Sequence, residues 1–108
     1  MPLQNIAIVY EYKKEYDKAL KTYERLAKLD KNNPETFYGI GRMYILGKND
    51  FENGLDNLCK AYNLYIEQKS AFRADAEKVI QFIYEEMKKQ GKEDKFKEIL
   101  KKNNISPE

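Results

Sequence analysis

The chain has 108 residues, a length that fits one domain spanning 1–108. Charged residues make up 35% of the sequence and no long apolar run occurs, which indicates a surface-rich helical protein without a membrane-spanning segment. Twenty basic residues against eighteen acidic ones give a net charge of +2, which provides no general attraction to nucleic acid or to an anionic membrane. The single cysteine, Cys59, excludes an internal disulfide and cannot by itself form a zinc site.

Apolar residues recur at steps of three and four along most of the chain, the spacing that places them on one face of an α-helix. Asn33 before Pro34 predicts a side-chain cap and a first-turn proline for the third helix, and Asn49 or Asp50 is the natural cap of the fourth. Polar or glycine-containing turns divide the pattern, so the predicted class is all-α, with helices at about 2–14, 16–29, 34–47, 51–66, 70–90 and 92–102.

The first four predicted helices carry one pattern twice. Each position of the first copy has a counterpart 34 residues later, or 35 after an extra residue in the turn near Gly47. A period near 34 with two helices per period indicates a helical repeat. The matched positions are Leu3, Ile6, Ala7, Tyr10, Tyr16, Ala19, Tyr23 and Leu26 in the first copy, and Phe37, Ile40, Gly41, Tyr44, Phe51, Gly54, Leu58 and Ala61 in the second.

One matched position on each helix is small: Ala7 and Ala19 in the first copy, Gly41 and Gly54 in the second. Small residues allow two helix backbones to approach closely where they cross, while the surrounding apolar side chains each contribute roughly 1.5–3 kcal/mol when fully buried. Leucine at Gly41 should therefore be strongly destabilising. Alanine at Gly54 should be neutral or stabilising, because the first copy already has alanine at the equivalent position.

The motifs L-x-x-I-A-x-x-Y then A-x-x-x-Y, and F-x-x-I-G-x-x-Y then G-x-x-x-L, resemble the tetratricopeptide repeat. The resemblance implies an α-solenoid of antiparallel helix pairs. Because a solenoid ends in an atypical unit with a polar outer side, the lysine-rich last helix is expected to lie across the second repeat, leaving the edge of the first helix uncapped. The expected units are a first repeat at about 2–33, a second at about 34–67, a degenerate capping helix pair at about 70–103 and a short tail at 104–108.

Side chains suited to catalysis are scarce in this sequence. Histidine is absent, and Cys59 lies in mid-helix with no base arranged beside it. Adjacent carboxylates such as Glu85 and Glu86 point about 100° apart on a helix, so they do not converge on one substrate. We therefore expect no enzymatic activity, no cofactor and no metal, and we expect Cys59→Ser to leave the fold nearly unchanged.

In tetratricopeptide repeats the opening helices line a concave groove that binds extended peptides or helices of partner proteins. The alternative for this chain is that Ile8 and Tyr12 pack beneath the following helices. Positions matching the Lys, Asn and Arg with which some members bind a partner's C-terminal carboxylate hold Gln4, Ile8 and Gly39, so that mode is not expected. The groove contacts that the resemblance implies are Gln4, Ile8, Tyr12, Tyr38, Arg42 and Ile45 or Leu46, with Gln81 and Glu85 if the third pair keeps register.

The function that these features favour is a protein–protein interaction module, an adaptor or scaffold that binds a protein or peptide partner. The alternative is a structural fragment of a longer repeat array, or a repeat domain that self-associates through its uncapped first helix and has no ligand site of its own. Neither nucleic acid nor a membrane is an expected partner. No basic region precedes an apolar core at the N-terminus, so the cytoplasm is the default expectation for location.

Overall fold

The computed structural model describes residues 2–106, which form six α-helices and no strand, confirming the all-α class. The predicted boundaries are close to the observed ones. The largest difference is at the start of the fifth helix, where the Ser70 side chain accepts a hydrogen bond from the Phe72 N–H at 3.1 Å and holds a turn in place of a first helical turn. The helices are α1 Leu3–Tyr12, α2 Tyr16–Leu29, α3 Pro34–Lys48, α4 Phe51–Glu67, α5 Arg73–Lys89 and α6 Glu93–Lys102.

Two side-chain caps fix the ends of α3 and α4. Asn33 Oδ1 accepts from the Glu35 N–H at 3.0 Å at the start of α3, as predicted. Asp50 Oδ1 accepts from the Asn53 N–H at 3.0 Å and so caps α4. Asn49 has a different role, because its φ of 52° lies in the left-handed region and ends α3.

The small residues lie where the paired helices cross, and this confirms the pairing of the two sequence copies. Ala7 and Ala19 are fully buried between α1 and α2. A Cβ placed on Gly41 would lie 2.9 Å from the carbonyl oxygen of Gly54, and one on Gly54 would lie 3.2 Å from the carbonyl oxygen of Gly41. The backbones of α3 and α4 therefore approach more closely than side chains at these positions would allow.

Gly54 has less room for an added side chain than the alanine at its counterpart position, Ala19, suggests. A Cβ at this position would lie 2.8 Å from Ile45 Cγ1, an atom close to the α3 backbone that cannot easily retract. We expect Gly54→Ala to lower the free energy of unfolding by about 1–2 kcal/mol, because overpacking outweighs the helix preference of alanine, which is at most about 1 kcal/mol. Urea unfolding beside the exposed Lys60→Ala variant of the same helix measures this effect. Equal or higher stability of Gly54→Ala would restore the expectation drawn from the sequence copies.

The third helix pair differs from the first two. Helix α5 packs along α4, but α6 packs against α4 as well as α5, and it buries Phe96, Ile99 and Leu100 there. Asn103 fastens its end: the Asn103 Nδ2 donates to Asp56 Oδ1 at 3.0 Å, and Asn63 Nδ2 donates to the Asn103 carbonyl at 2.8 Å. Helix α6 thus covers the outer side of α4, while the division into two repeats and a capping pair remains a proposal.

Cys59 is fully buried in the cluster formed by α4, α5 and α6. Burial, with a contribution from the Asp56 carboxylate, raises the pKa of its thiol to about 12. A thiol in this environment stays protonated and unreactive at neutral pH. Serine would place a hydroxyl among apolar side chains, so we now expect a measurable loss of stability from Cys59→Ser.

Because this thiol is buried, the stability of the fold should fall as the pH rises in the alkaline range. The folded pKa of about 12 lies above the ordinary value of 9.0, so the contribution is complete below pH 9 and is lost as the pH rises toward 12. One such group lowers the free energy of unfolding by about 1.4 kcal/mol per pH unit in that window. Urea melts at successive pH values should show a smaller decline between pH 9.0 and 10.0 for Cys59→Ala than for the wild type, and the tyrosines contribute equally to both proteins. Identical slopes would exclude a buried, protonated Cys59.

Candidate partner-binding groove

A groove of about 540 Å³ lies between α1 and α3. These two helices form its walls, and the buried side chains of Tyr23 from α2 and Tyr65 from α4 lie at its base. The groove brings together residues from four helices that are distant in sequence. Its lining residues are Gln4, Ile8, Glu11, Tyr12, Tyr16, Tyr23, Glu35, Thr36, Tyr38, Gly39, Arg42, Leu46 and Tyr65.

Most of the residues selected from the sequence lie in this groove. Ile45 does not, because its side chain packs against Gly54 at the crossing of α3 and α4; of the two alternatives Ile45 and Leu46, the structure therefore places Leu46 in the groove. A role in binding remains a prediction for each of them. The selected residues that line the groove are Gln4, Ile8, Tyr12, Tyr38, Arg42 and Leu46.

Gln81 and Glu85 lie outside this groove, so extending the register into the third pair was wrong. Gln81 instead lines a separate opening between α5 and α6, and its Nε2 donates to Glu85 Oε1 at 3.2 Å. The opening exists because α6 lies against α4 as well as α5, whereas the closing helix of each earlier pair packs closely on its opening helix. The geometry of the first two pairs therefore does not carry over to α5.

The groove exposes apolar side chains to solvent. Tyr12 is 85% exposed, Leu46 is 53% exposed and Ile8 is 38% exposed. The alternative that Ile8 and Tyr12 pack beneath the following helices is therefore wrong. We call these three exposed side chains of the lining the apolar rim; Tyr12 and Leu46 lie toward the ends of α1 and α3.

Glu11 links three helices at the centre of the groove. Its carboxylate accepts a hydrogen bond from the Tyr23 hydroxyl, and its Oε1 lies 2.7 Å from Arg42 Nη2. The Glu11 side chain is only 13% exposed, so this ion pair is poorly screened by water. Burial, followed by the hydrogen bond to Glu11, raises the pKa of Tyr23 far above its ordinary value. The arrangement holds α1, α2 and α3 at fixed spacing.

Glu35 and Gln4 close the other end of the groove. Gln4 Nε2 donates to Glu35 Oε2 at 3.1 Å, joining the first turns of α1 and α3. The guanidinium of Arg42 lies 5.9 Å from the ring centre of Tyr38, one helical turn earlier, a distance typical of a cation–π contact. Together with the Glu11 ion pair, this contact orients the Arg42 side chain within the groove.

Reasoning from the sequence missed several lining residues. Glu11 follows Gln4 by seven residues and Ile8 by three, so the helical spacing that selected those two also reaches Glu11. Tyr23 was assigned to the core, and it lies in the core while its hydroxyl reaches the groove. No local signal in the sequence marks Tyr65, which comes from α4 and reaches the groove only through the packing of the helices.

Residues 2–106 carry neither a metal-binding cluster nor a membrane-spanning helix. No group of three or more His, Cys, Asp and Glu side chains in that range is placed to hold a metal ion. None of the helices described there is long and apolar enough to cross a membrane.

The family model described as "TPR repeat" matches residues 9–46, which cover the end of α1, all of α2 and most of α3. Neither a curated protein nor a solved structure matches the chain at a significant level. The matched segment contains the small residue Ala19 of one crossing and Gly41 of the next. With the repeat period and the all-helical fold, this match confirms the resemblance to the tetratricopeptide repeat over residues 9–46, and repeats of that family in general act as protein-interaction modules.

Proposed function

We propose that the chain is an adaptor that holds a peptide segment of a partner protein in the groove between α1 and α3. The observation that carries this proposal is the exposed apolar rim formed by Ile8, Tyr12 and Leu46. Covering apolar surface contributes roughly 25 cal/mol per Å², and exposed aromatic side chains are frequent anchors of interfaces. A partner that covers this rim therefore gains affinity without displacing any part of the described fold.

The shape and rigidity of the groove suit an extended peptide. Its volume of about 540 Å³ follows the two helices, with amide and charged groups at one end and apolar groups at the other. The contacts of Glu11 with Tyr23 and Arg42 fix the spacing of the walls before binding. A preformed site pays less ordering entropy when it binds its ligand, which favours a groove that is rigid in the free protein.

Photo-cross-linking tests the location of the site. Peptides selected on the full chain from a library of random linear sequences serve as probes. p-Benzoylphenylalanine replaces Tyr12 in one variant and Leu29 in a control variant, because Leu29 is 75% exposed and lies outside the groove. The proposal predicts cross-linking from position 12 and none from position 29. Cross-linking from position 29 alone, or from neither position, contradicts it.

A second candidate function is self-association through α1. The specific observation in its favour is Val9, an apolar side chain of α1 that is 38% exposed and lies outside the groove lining. Sedimentation equilibrium over a range of concentrations tests it. A dimer that is lost in Val9→Lys supports this function, and a monomer at every concentration contradicts it.

A further inference from the structure

The charged side chains that line the groove differ in whether they have a partner of opposite charge. Glu11 and Arg42 neutralise one another across 2.7 Å, so neither presents a free charge to a ligand. Glu35 is exposed, and its carboxylate accepts a hydrogen bond from the neutral amide of Gln4. Among residues 2–106 no lysine or arginine lies within ion-pairing distance of Glu35. Its negative charge is therefore the one unneutralised charge in the lining.

A second carboxylate, Asp75, lies outside the lining of the groove. Asp75 lies in the first turn of α5, and it adds to the effect of burial in raising the pKa of Tyr38 and, together with Glu35, the pKa of Tyr65. The start of a helix carries about half a positive charge, so the first turn of α3 offsets only about half of the negative charge of Glu35.

The two ends of the groove differ in character and lie a measurable distance apart. Glu35 marks the acidic end, and Leu46 with Tyr12 marks the apolar end. Eleven residues of α3 separate Glu35 from Leu46, and at about 1.5 Å per residue they span roughly 16 Å. An extended peptide covers that distance in about five residues, at roughly 3.3 Å each.

Resting on the proposed function, we infer the chemistry of the partner: a segment that carries a lysine or arginine against Glu35 and, about five residues away along an extended chain, a large aliphatic or aromatic side chain against Tyr12 and Leu46. An acidic side chain or a terminal carboxylate at the Glu35 position is disfavoured, because it would meet the Glu35 carboxylate and no free cation. The same spacing applies to either direction of the bound chain.

Peptides selected on the full chain from a random linear library provide the test. The inference predicts a basic residue in the enriched sequences at a constant spacing of about five from a large apolar one. Glu35→Gln should weaken their binding about threefold to tenfold, as expected for a partly exposed ion pair, and the loss should shrink at high salt. Exchanging the basic residue for glutamine in the peptide should cause the same loss in the wild type and little further loss in Glu35→Gln.

Glu98→Gln on α6 is the matched control and should bind as the wild type does, since Glu98 lines no groove. Enriched peptides that lack a basic residue, or that bind Glu35→Gln as tightly as the wild type, overturn the charge inference. If such peptides still lose affinity for the Tyr12→Ala variant, the groove remains the binding site and only the charge inference is overturned. Peptides that bind Tyr12→Ala as tightly as the wild type, or a library that yields no binder, overturn the proposed function together with this inference.

Discussion

Gly41→Leu is expected to unfold the domain or to lower its free energy of unfolding by more than about 3 kcal/mol. A Cβ alone at this position would collide with the Leu58 side chain and would lie 2.9 Å from the carbonyl oxygen of Gly54. Leu58 is fully buried, and the carbonyl belongs to the α4 backbone, so neither can move without separating the two helices. The cost should therefore lie at the upper end of overpacking effects and should consume much of a marginal stability.

Ala74→Leu is the matched control, because Ala74 is an exposed small residue in a helix. Urea or thermal melts followed by circular dichroism compare the two variants with the wild type. Ala74→Leu should stay within about 0.5 kcal/mol of the wild type, as surface changes usually do. If the two variants melted alike, the close approach of α3 and α4 at Gly41 would be wrong.

Replacing Tyr12 and Leu46 together by alanine should weaken peptide binding by about 2–4 kcal/mol, roughly thirtyfold to a thousandfold in Kd. Both side chains belong to the exposed apolar rim, so their removal takes away anchors without opening the core. The melt should remain close to that of the wild type. Tyr38 is unsuitable for this test, because it is half-buried and packs against the core cluster, so its truncation would also lower stability.

Leu29→Ala is the control for the double variant, since Leu29 is an exposed leucine outside the groove. Its peptide affinity should equal that of the wild type. Binding that survives in Tyr12→Ala/Leu46→Ala would remove the rim from the site. Binding that is lost together with a collapsed melt would show that these residues support the fold instead.

The sequence was sufficient to predict much of the fold, because the main contacts repeat. Aligning the two copies located the crossing at Gly41 and Gly54, and local rules located the cap at Asn33. The effect of adding a side chain at Gly54 could not be predicted in the same way. It depends on where the Ile45 side chain lies across the crossing, and the first copy holds no information on that packing.

The candidate groove was partly predictable for a similar reason. Ile8, Tyr12 and Leu46 could be selected because they occupy corresponding faces of α1 and α3. Glu11 was missed, because a single carboxylate on an amphipathic helix is usually a solvent-exposed group. Its partners Tyr23 and Arg42 come from other helices, so no local pattern indicates the contacts. Gln81 was misplaced because the position of α6 against α4 is a tertiary feature that no repeat period encodes.

Chemical-shift mapping tests directly whether a peptide binds between α1 and α3. Titrating a selected peptide into the uniformly ¹⁵N-labelled full chain reports which backbone amides change their surroundings. We predict that the largest shifts cluster in α1 and α3, at the groove positions from Gln4 to Tyr12 and from Glu35 to Leu46, with the amides of α6 unchanged. Shifts concentrated in α6, or on the face of α2 that carries Leu29, would contradict a binding site between α1 and α3.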